Sequence, residues 1–251
     1  MESPRALASL RLRDPRETDF HPGGDATRIV AELADTGAAL ENGLWRAPFW
    51  PEHRDPATYD HLVVAEDRAD GRPLAMLGAD VLRGTEEAFL FISTAFVAPV
   101  ARGRRVLRRM VATALMQAAR TGPVPRVIAA RSLNPIFYRA MARLAHDFGV
   151  KLYPDTANSP IPLRTAALAR RVARRVSPTC RFEPGTGVVR RAALVHGLLG
   201  AVQTAPAGKT AIDTAFAARL APEDQFLLVL DLRGLDKWDI METARRIRRR
   251  K

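Results

Sequence analysis

The chain has one cysteine, Cys180, in 251 residues. An internal disulfide needs two, so no disulfide framework holds this fold and no thiolate cluster can bind a metal. Lysine is nearly as scarce. It stands only at Lys151, Lys209, Lys237 and Lys251, which leaves 35 of the 39 basic residues as arginine. No run approaches the roughly 18–20 apolar residues of a membrane-spanning helix. The first twenty residues, MESPRALASLRLRDPRETDF, are broken by charge every few positions and hold no apolar signal-peptide core. These absences lead to the expectation of a soluble, cytoplasmic protein without a membrane span. The five histidines are scattered, with no i, i+4 pair and no nearby cysteine, so no metal is expected.

What is abundant is arginine, and the net charge is +12. A GC-rich genome choosing arginine codons would give this composition. So would an acidic partner or a phosphate-bearing ligand, which the guanidinium fork suits. Charge alone does not choose between DNA, RNA, a cofactor and an acidic protein. The arginines are not interleaved with aromatic residues, which argues against base stacking and so against nucleic acid as the partner. With 47% apolar residues, the chain can bury the core of one large domain.

The pattern along the chain alternates between periods. A short strand near 6–13 precedes a helical stretch at 25–44, with Asp25 in the capping position and Ile29, Leu33 and Leu40 on one face. YDHLVVAED, LAMLGADVL and AFLFISTAFVAP then read as three strands joined by tight turns around Asp70-Gly71 and RGTEE, an antiparallel meander stopped by Pro99. From Arg104 to Arg120 the period becomes helical. RVIAAR is a buried strand, NPIFYRAMARLAHDF a helix with Pro135 in its first turn, and GVKLYP a strand. Beyond Pro154, LRTAALARRVARRV reads as an amphipathic helix and QFLLVLDL as a buried strand. DKWDIMETARRIRRRK reads as a basic helix with Trp238, Met241 and Ala244 on one side. The order predicts an α/β fold, a mixed sheet with helices on its faces.

Five arginines fall within residues 102–109, between the third meander strand and the helix that follows it. Free backbone N–H groups and the positive end of the helix dipole converge at such a turn, which makes an anion site before any side chain is counted. Arg102, Arg104 and Arg105 would add charge at its mouth. This geometry suits a pyrophosphate better than a duplex.

Val97, Pro99, Arg102 and Gly103, as V-x-P-x-x-R-G at the end of a long strand, resemble the acetyl-CoA signature of the GCN5-related N-acetyltransferase (GNAT) superfamily. Arg105 and Leu107 depart from it, occupying its two small-residue positions. VIAARSLNPIFYRAMARLA is similar to the family's strand and Asn-initiated helix. The resemblance covers roughly residues 60–154, which it makes the catalytic core of a single GNAT-like domain, with an elaborated part at 155–251. It implies a mostly antiparallel sheet with helices on both faces, and acetyl-CoA or another acyl-CoA as co-substrate without a metal. The donor would lie against Phe96 and Val97 and the segment Arg102, Gly103, Arg104, Arg105, Val106 and Leu107. Asn134 falls where the family meets the pantetheine arm. The family's usual thiolate-protonating tyrosine falls on Met141, with Tyr138 one turn earlier as the candidate acid.

The implied reaction is direct attack of an amine, on a small molecule or a peptide, upon the thioester, with no covalent enzyme intermediate. Asp80, Glu86 and Glu87 are the acids beside the meander, and Glu86 and Glu87 are taken as candidates for the general base. Two further readings stand beside this one. The donor could be an acidic acyl carrier protein, whose phosphopantetheine lacks the nucleotide, or the chain could be a non-catalytic basic binding module. AGKT at 207–210 imitates the end of a P-loop, but Gln203 stands where its first glycine belongs. GTG at 185–187 reads as a turn.

Overall fold

The computed structural model describes residues 10–13, 58–84, 87–155, 161–192 and 210–249. The helix expected at 25–44 and the candidate base Glu86 lie outside the described residues. Strands β1 (Leu10–Arg13), β2 (His61–Asp67), β3 (Pro73–Arg83) and β4 (Ala88–Val97) form the antiparallel meander. Its first tight turn closes where Gly71, at φ 73, donates its N–H to Asp67 O. A backbone turning through positive φ is tolerated best by glycine.

A short 3-10 turn (Pro99–Ala101) leads into α1 (Val106–Thr121), β5 (Val127–Ser132), α2 (Pro135–Asp147) and β6 (Leu152–Tyr153). There follow α3 (Leu163–Val176), β7 (Phe182–Glu183), β8 (Val188–Val189), α4 (Ala211–Arg219), β9 (Gln225–Asp231) and α5 (Lys237–Arg249). All strands join one sheet in the order β1-β2-β3-β4-β5-β9-β8-β7, with β6 also pairing β9. Every ladder is antiparallel except β4–β5. The sheet is therefore mixed and mostly antiparallel, with helices on both faces.

Alternation along the strands sorts their side chains between two cores. Ala75, Leu77, Leu90, Ile92, Ile128 and Leu228 face α1, α2, α4 and α5. Phe89, Phe91, Val127, Ala129 and Leu227 face α3, which buries Leu168, Ala169, Val172 and Ala173 against them. The segment after 154, expected as an elaboration, contributes a central strand: β9 pairs β5 from Val127↔Asp231 to Ser132↔Phe226. On α5 the buried side is Ile240, Ala244 and Ile247, not the expected Trp238, Met241 and Ala244. Trp238 is 67% exposed, with the Arg245 guanidinium 5.5 Å from its ring centroid. Two apolar stripes on one helix differ by a small rotation, and the packing against α1 selects the aliphatic one.

Thr210, the last residue of the P-loop-like AGKT, caps α4: its side chain accepts from Asp213 N. GTG occupies the turn between β7 and β8. At the far end of the sheet Asp224, only 2% exposed, accepts from Arg190 Nη1 at 2.6 Å, Arg191 N at 2.9 Å and Ala221 N at 3.1 Å. Burial alone would raise the Asp224 pKa. The bonds from Arg191, Arg190 and Ala221 outweigh it and hold the carboxyl below its ordinary value. Such a group stabilises the fold above the unfolded carboxylate pKa of about 3.9 and loses that effect as pH falls through the lower folded value. Asp224→Ala is expected to cost about 2–3 kcal/mol at neutral pH. Denaturant titrations should show that gap closing as the pH falls below about 4.

Candidate functional site

The β4–β5 ladder runs only from Phe89↔Val127 to Ile92↔Ala130. β4 goes on to Val97, paired with β3 alone, while β5 goes on to Ser132 against β9. Past Ile92 and Ala130 the two parallel neighbours part. An open strand edge offers backbone donors and acceptors to whatever enters. At that edge lies a cavity of about 270 Å³ on the α1 and α2 side of the sheet, floored by Ala95, Phe96 and Val97.

The wall beyond the strand is the arginine turn. Arg102, Gly103, Arg105, Val106 and Leu107 line the cavity. Gly103 takes φ 76 and Arg105 takes φ 62. Arg105 is the N-cap of α1, and no side chain caps the helix. Among the described residues the first-turn N–H groups of α1 thus have no side-chain acceptor, and the helix dipole adds positive potential at the same point. Arg102 Nε donates to Val97 O at 3.3 Å, which ties the turn back to the strand end.

The opposite wall is α2. Its N-cap Asn134 accepts from Ile136 N through Oδ1 at 2.8 Å, leaving the two Nδ2 donors for another partner. Ile136, Phe137, Arg139, Ala140 and Arg143 complete the lining. Two of the lining arginines are already neutralised: Arg108 pairs with Asp147 at 2.5 Å, and Arg139 pairs with Asp213. Arg105 and Arg143 form no salt bridge among the described residues. The site therefore presents cation and backbone N–H groups along one side and an apolar strand edge beneath.

The cavity brings together Phe96, Val97, Arg102, Gly103, Arg105, Val106, Leu107 and Asn134. Arg104 does not line it and is exposed. Tyr138 does not reach it either. Tyr138 and Met141 do share a helix face, but that face is turned to the core, while 136, 137, 140 and 143 face the cavity. The Tyr138 ring is 4% exposed, meets Phe216 edge-on at 5.6 Å, and its hydroxyl donates to Pro154 O at 2.8 Å. Glu87 stands before the start of β4. The ten residues to Val97, at about 3.3 Å each, put it roughly 30 Å of strand from the turn. There Glu87 Oε1 holds Arg171 at 2.5 Å and Arg233 at 3.3 Å, an arrangement that fastens α3 to the sheet.

Arg108 belongs to the arginine run at 102–109, whereas Arg139 and Arg143 stand in no motif of the sequence. The i, i+4 spacing of Arg139 and Arg143 on the polar side of α2 was the available signal. No group of three or more His, Cys, Asp or Glu that could hold a metal occurs among the described residues. No helix among them is long and apolar enough to cross a membrane.

No family model and no curated protein matches the chain. Solved structures do. A putative GNAT-family acetyltransferase from Desulfovibrio desulfuricans is 14% identical, with 89% of this chain and 99% of that chain covered and a TM-score of 0.41. The diaminobutyrate acetyltransferase of Paenibacillus lautus, solved with L-2,4-diaminobutyric acid and coenzyme A, is 15% identical over 91% and 98%, with a TM-score of 0.45. A putative acetyltransferase from Salmonella typhimurium with acetyl-CoA is 16% identical over 57% and 80%, with a TM-score of 0.34. The fold of this chain is an antiparallel meander, one parallel ladder that parts, and a helix opening at the parting.

The placement of Tyr138 has a measurable consequence. Tyr138→Phe leaves the buried Pro154 carbonyl without its donor and is expected to cost about 1–2 kcal/mol of stability. Thermal or denaturant unfolding reads that loss. Turnover of the folded mutant, on any acyl-transfer substrate found, should stay within about twofold of wild type. A loss near 100-fold, the usual scale for a missing general acid, would put the tyrosine back at the reacting sulfur.

Proposed function

We propose that this chain is an acyl-CoA-dependent N-acyltransferase whose donor lies in the cleft between β4 and α1. The observation that carries the reading is Arg105. A non-glycine residue in the left-handed region costs roughly 1–2 kcal/mol, and glycine would adopt it freely. Arg105 lines the cavity from that position, which would place its guanidinium for a ligand. Phosphate is the ligand that suits such a fork at a helix N-terminus.

Arg102 and Arg105, with the N–H groups of Val106 and Leu107, would hold the donor's phosphates. Phe96 and Val97 would bond the pantetheine arm through their backbone, and Asn134 would meet the same arm from α2. The bound acyl-CoA supplies the activated acyl thioester. The chain positions that thioester at the parting of the strands, where a backbone N–H of β4 would stabilise negative charge developing on the carbonyl oxygen. The acceptor nitrogen forms its bond to the carbonyl carbon as the carbon–sulfur bond breaks, and the proton shed by the nitrogen passes to water. No Tyr, His, Cys, Asp or Glu lines the cavity among the described residues. The leaving thiolate would be met by the cationic wall and take its proton from solvent.

A carrier-protein donor is the second reading. It draws on the cations Arg68, Arg109 and Arg248, which stand near enough that their like charges, after burial, lower the Arg109 pKa. Clustered cations of this kind would attract an acidic protein. Comparing acyl-CoA with acyl carrier protein as donor separates the two.

Charge-assisted contacts to phosphate are worth roughly 1.5–3 kcal/mol each. Arg102→Ala and Arg105→Ala should each weaken coenzyme A binding about tenfold or more in calorimetry. Arg105→Gly should weaken it similarly while raising stability by about 1 kcal/mol, because the backbone strain goes with the side chain. Unchanged affinity in all three variants would sink the donor site.

A further inference from the structure

The sequence of α3, LRTAALARRVARRV, holds five arginines and no acid. Its buried stripe, Leu168, Ala169, Val172 and Ala173, closes the core on the sheet face away from α1 and α2. At about 3.6 residues per turn, the side turned away from that stripe is Leu163, Ala167, Arg170 and Arg174, a line about 16 Å long. All four are exposed, and Leu163 at 89% is the most exposed large apolar side chain among the described residues. On the flank, Arg171 is tied to Glu87 at 2.5 Å and Arg175 to Arg83 O. Arg170 and Arg174, at the centre of the face, form no salt bridge among the described residues.

A solvated helix ordinarily mixes signs, with acids in the first turn, where the dipole favours them. α3 instead opens with Arg164 and has no acid there. An arginine-rich composition does not account for this. α5 carries as many cations, yet it interleaves Asp239 and Glu242, and Glu242 pairs with Arg245 at 3.4 Å.

The face also lacks what other acidic partners use. A protein interface is centred on apolar or aromatic anchors, whereas the one large apolar side chain here stands at the end of the row. Nucleic acid is held by aromatic stacking or read by amide side chains at base edges, and α3 has neither. An anionic lipid surface asks only for cations on one outward face, and it gains from an apolar side chain that can pass the headgroups.

We propose that the outward face of α3 docks the protein on an anionic lipid bilayer. Arg170 and Arg174 lie against the headgroups, with Arg164, Arg171 and Arg175 beside them, and Leu163 enters the boundary with the acyl chains. The apolar stripe of α3 stays in the protein core, so attachment is peripheral and reversible. Docking through α3 leaves the cavity, on the other face of the sheet, open to solvent, and does not depend on acyl transfer.

The test is flotation of the full-length protein with vesicles of phosphatidylcholine alone and with about 30% phosphatidylserine. Partitioning onto the anionic vesicles should exceed that onto the neutral ones by about tenfold or more at about 0.1 M salt, and should fall at about 0.5 M. Each arginine near such a surface adds about fivefold, so Arg170→Ala combined with Arg174→Ala should lower partitioning about twentyfold. Leu163→Ala should lower it about threefold or more. The same charge removed from the other side of the molecule, by Arg245→Ala with Arg246→Ala on α5, should leave it within about twofold. The substituted α3 side chains are exposed, and unchanged circular dichroism checks that each variant folds.

Equal partitioning onto neutral and anionic vesicles overturns the proposal. So does an equal loss from the α3 and α5 pairs, because net charge alone would then hold the protein. Unchanged partitioning in Leu163→Ala overturns the bilayer as occupant. Tighter binding to duplex RNA or DNA than to the vesicles, weakened by the Arg170 and Arg174 substitutions, would make the face a nucleic-acid surface instead.

Discussion

β4 carries one residue more than β3 can pair. The register passes from Ala79↔Ile92 to Gly78↔Thr94, so Ser93 has no partner across the ladder. A bulge of this kind bends its strand and increases the local twist. The β4–β5 ladder ends at Ile92↔Ala130, immediately before that bulge. The extra residue is fastened by the bond from Ser93 Oγ to Asp80, so the bend is held from the neighbouring strand. Without the parting there is no open edge and no cavity beside α1. The rest of the site is arranged around that one mismatch in count.

The charge excess divides in the same way. Much of the arginine is structural: Arg108 reaches Asp147, Arg139 reaches Asp213, Arg190 reaches Glu183 and Asp224, and Arg171 and Arg233 share Glu87. Arg108–Asp147 and Arg139–Asp213 each join two helices, and Arg171–Glu87 fastens a helix to the start of β4. Partly buried pairs of this sort are costly to break by removing one partner, whatever their net value. Glu87, attractive as a base when read as a lone acid near the meander, belongs to this set. Its carboxylate is used for docking α3, at the end of the strand far from the turn.

Periodicity made much of the fold readable. The three-strand meander, α1, the Asn134-Pro135 start of α2 and the apolar run of β9 all carry local signals, namely alternation, helical stripes and a capping residue. What was not readable depends on distant partners. Nothing within QFLLVLDL says that it pairs β5, because register with a strand about 95 residues earlier leaves no local trace. Helical spacing likewise put Tyr138 and Met141 on one face without saying whether that face met the core or the cleft. On α5 it pointed to Trp238, Met241 and Ala244, whereas the helix buries Ile240, Ala244 and Ile247. Asp80 was legible as an acid near a turn, but its burial beside Ser93 follows only from the register across the bulge.

Arg105 is where local rules and position disagree most. A turn needing left-handed backbone ordinarily takes glycine, and Gly103 two residues earlier obeys that rule at φ 76. Arg105 breaks it at φ 62 and also starts α1 without a side-chain cap. Each departure is destabilising alone, through strain at one and unsatisfied donors at the other. Both would be resolved by the donor proposed for the cavity. An anion in the cavity would accept from the uncapped N–H groups and pair with the guanidinium that the strained backbone presents. Local instability concentrated at one turn, and relieved by one kind of ligand, is how a binding site differs from a helix end that is merely basic.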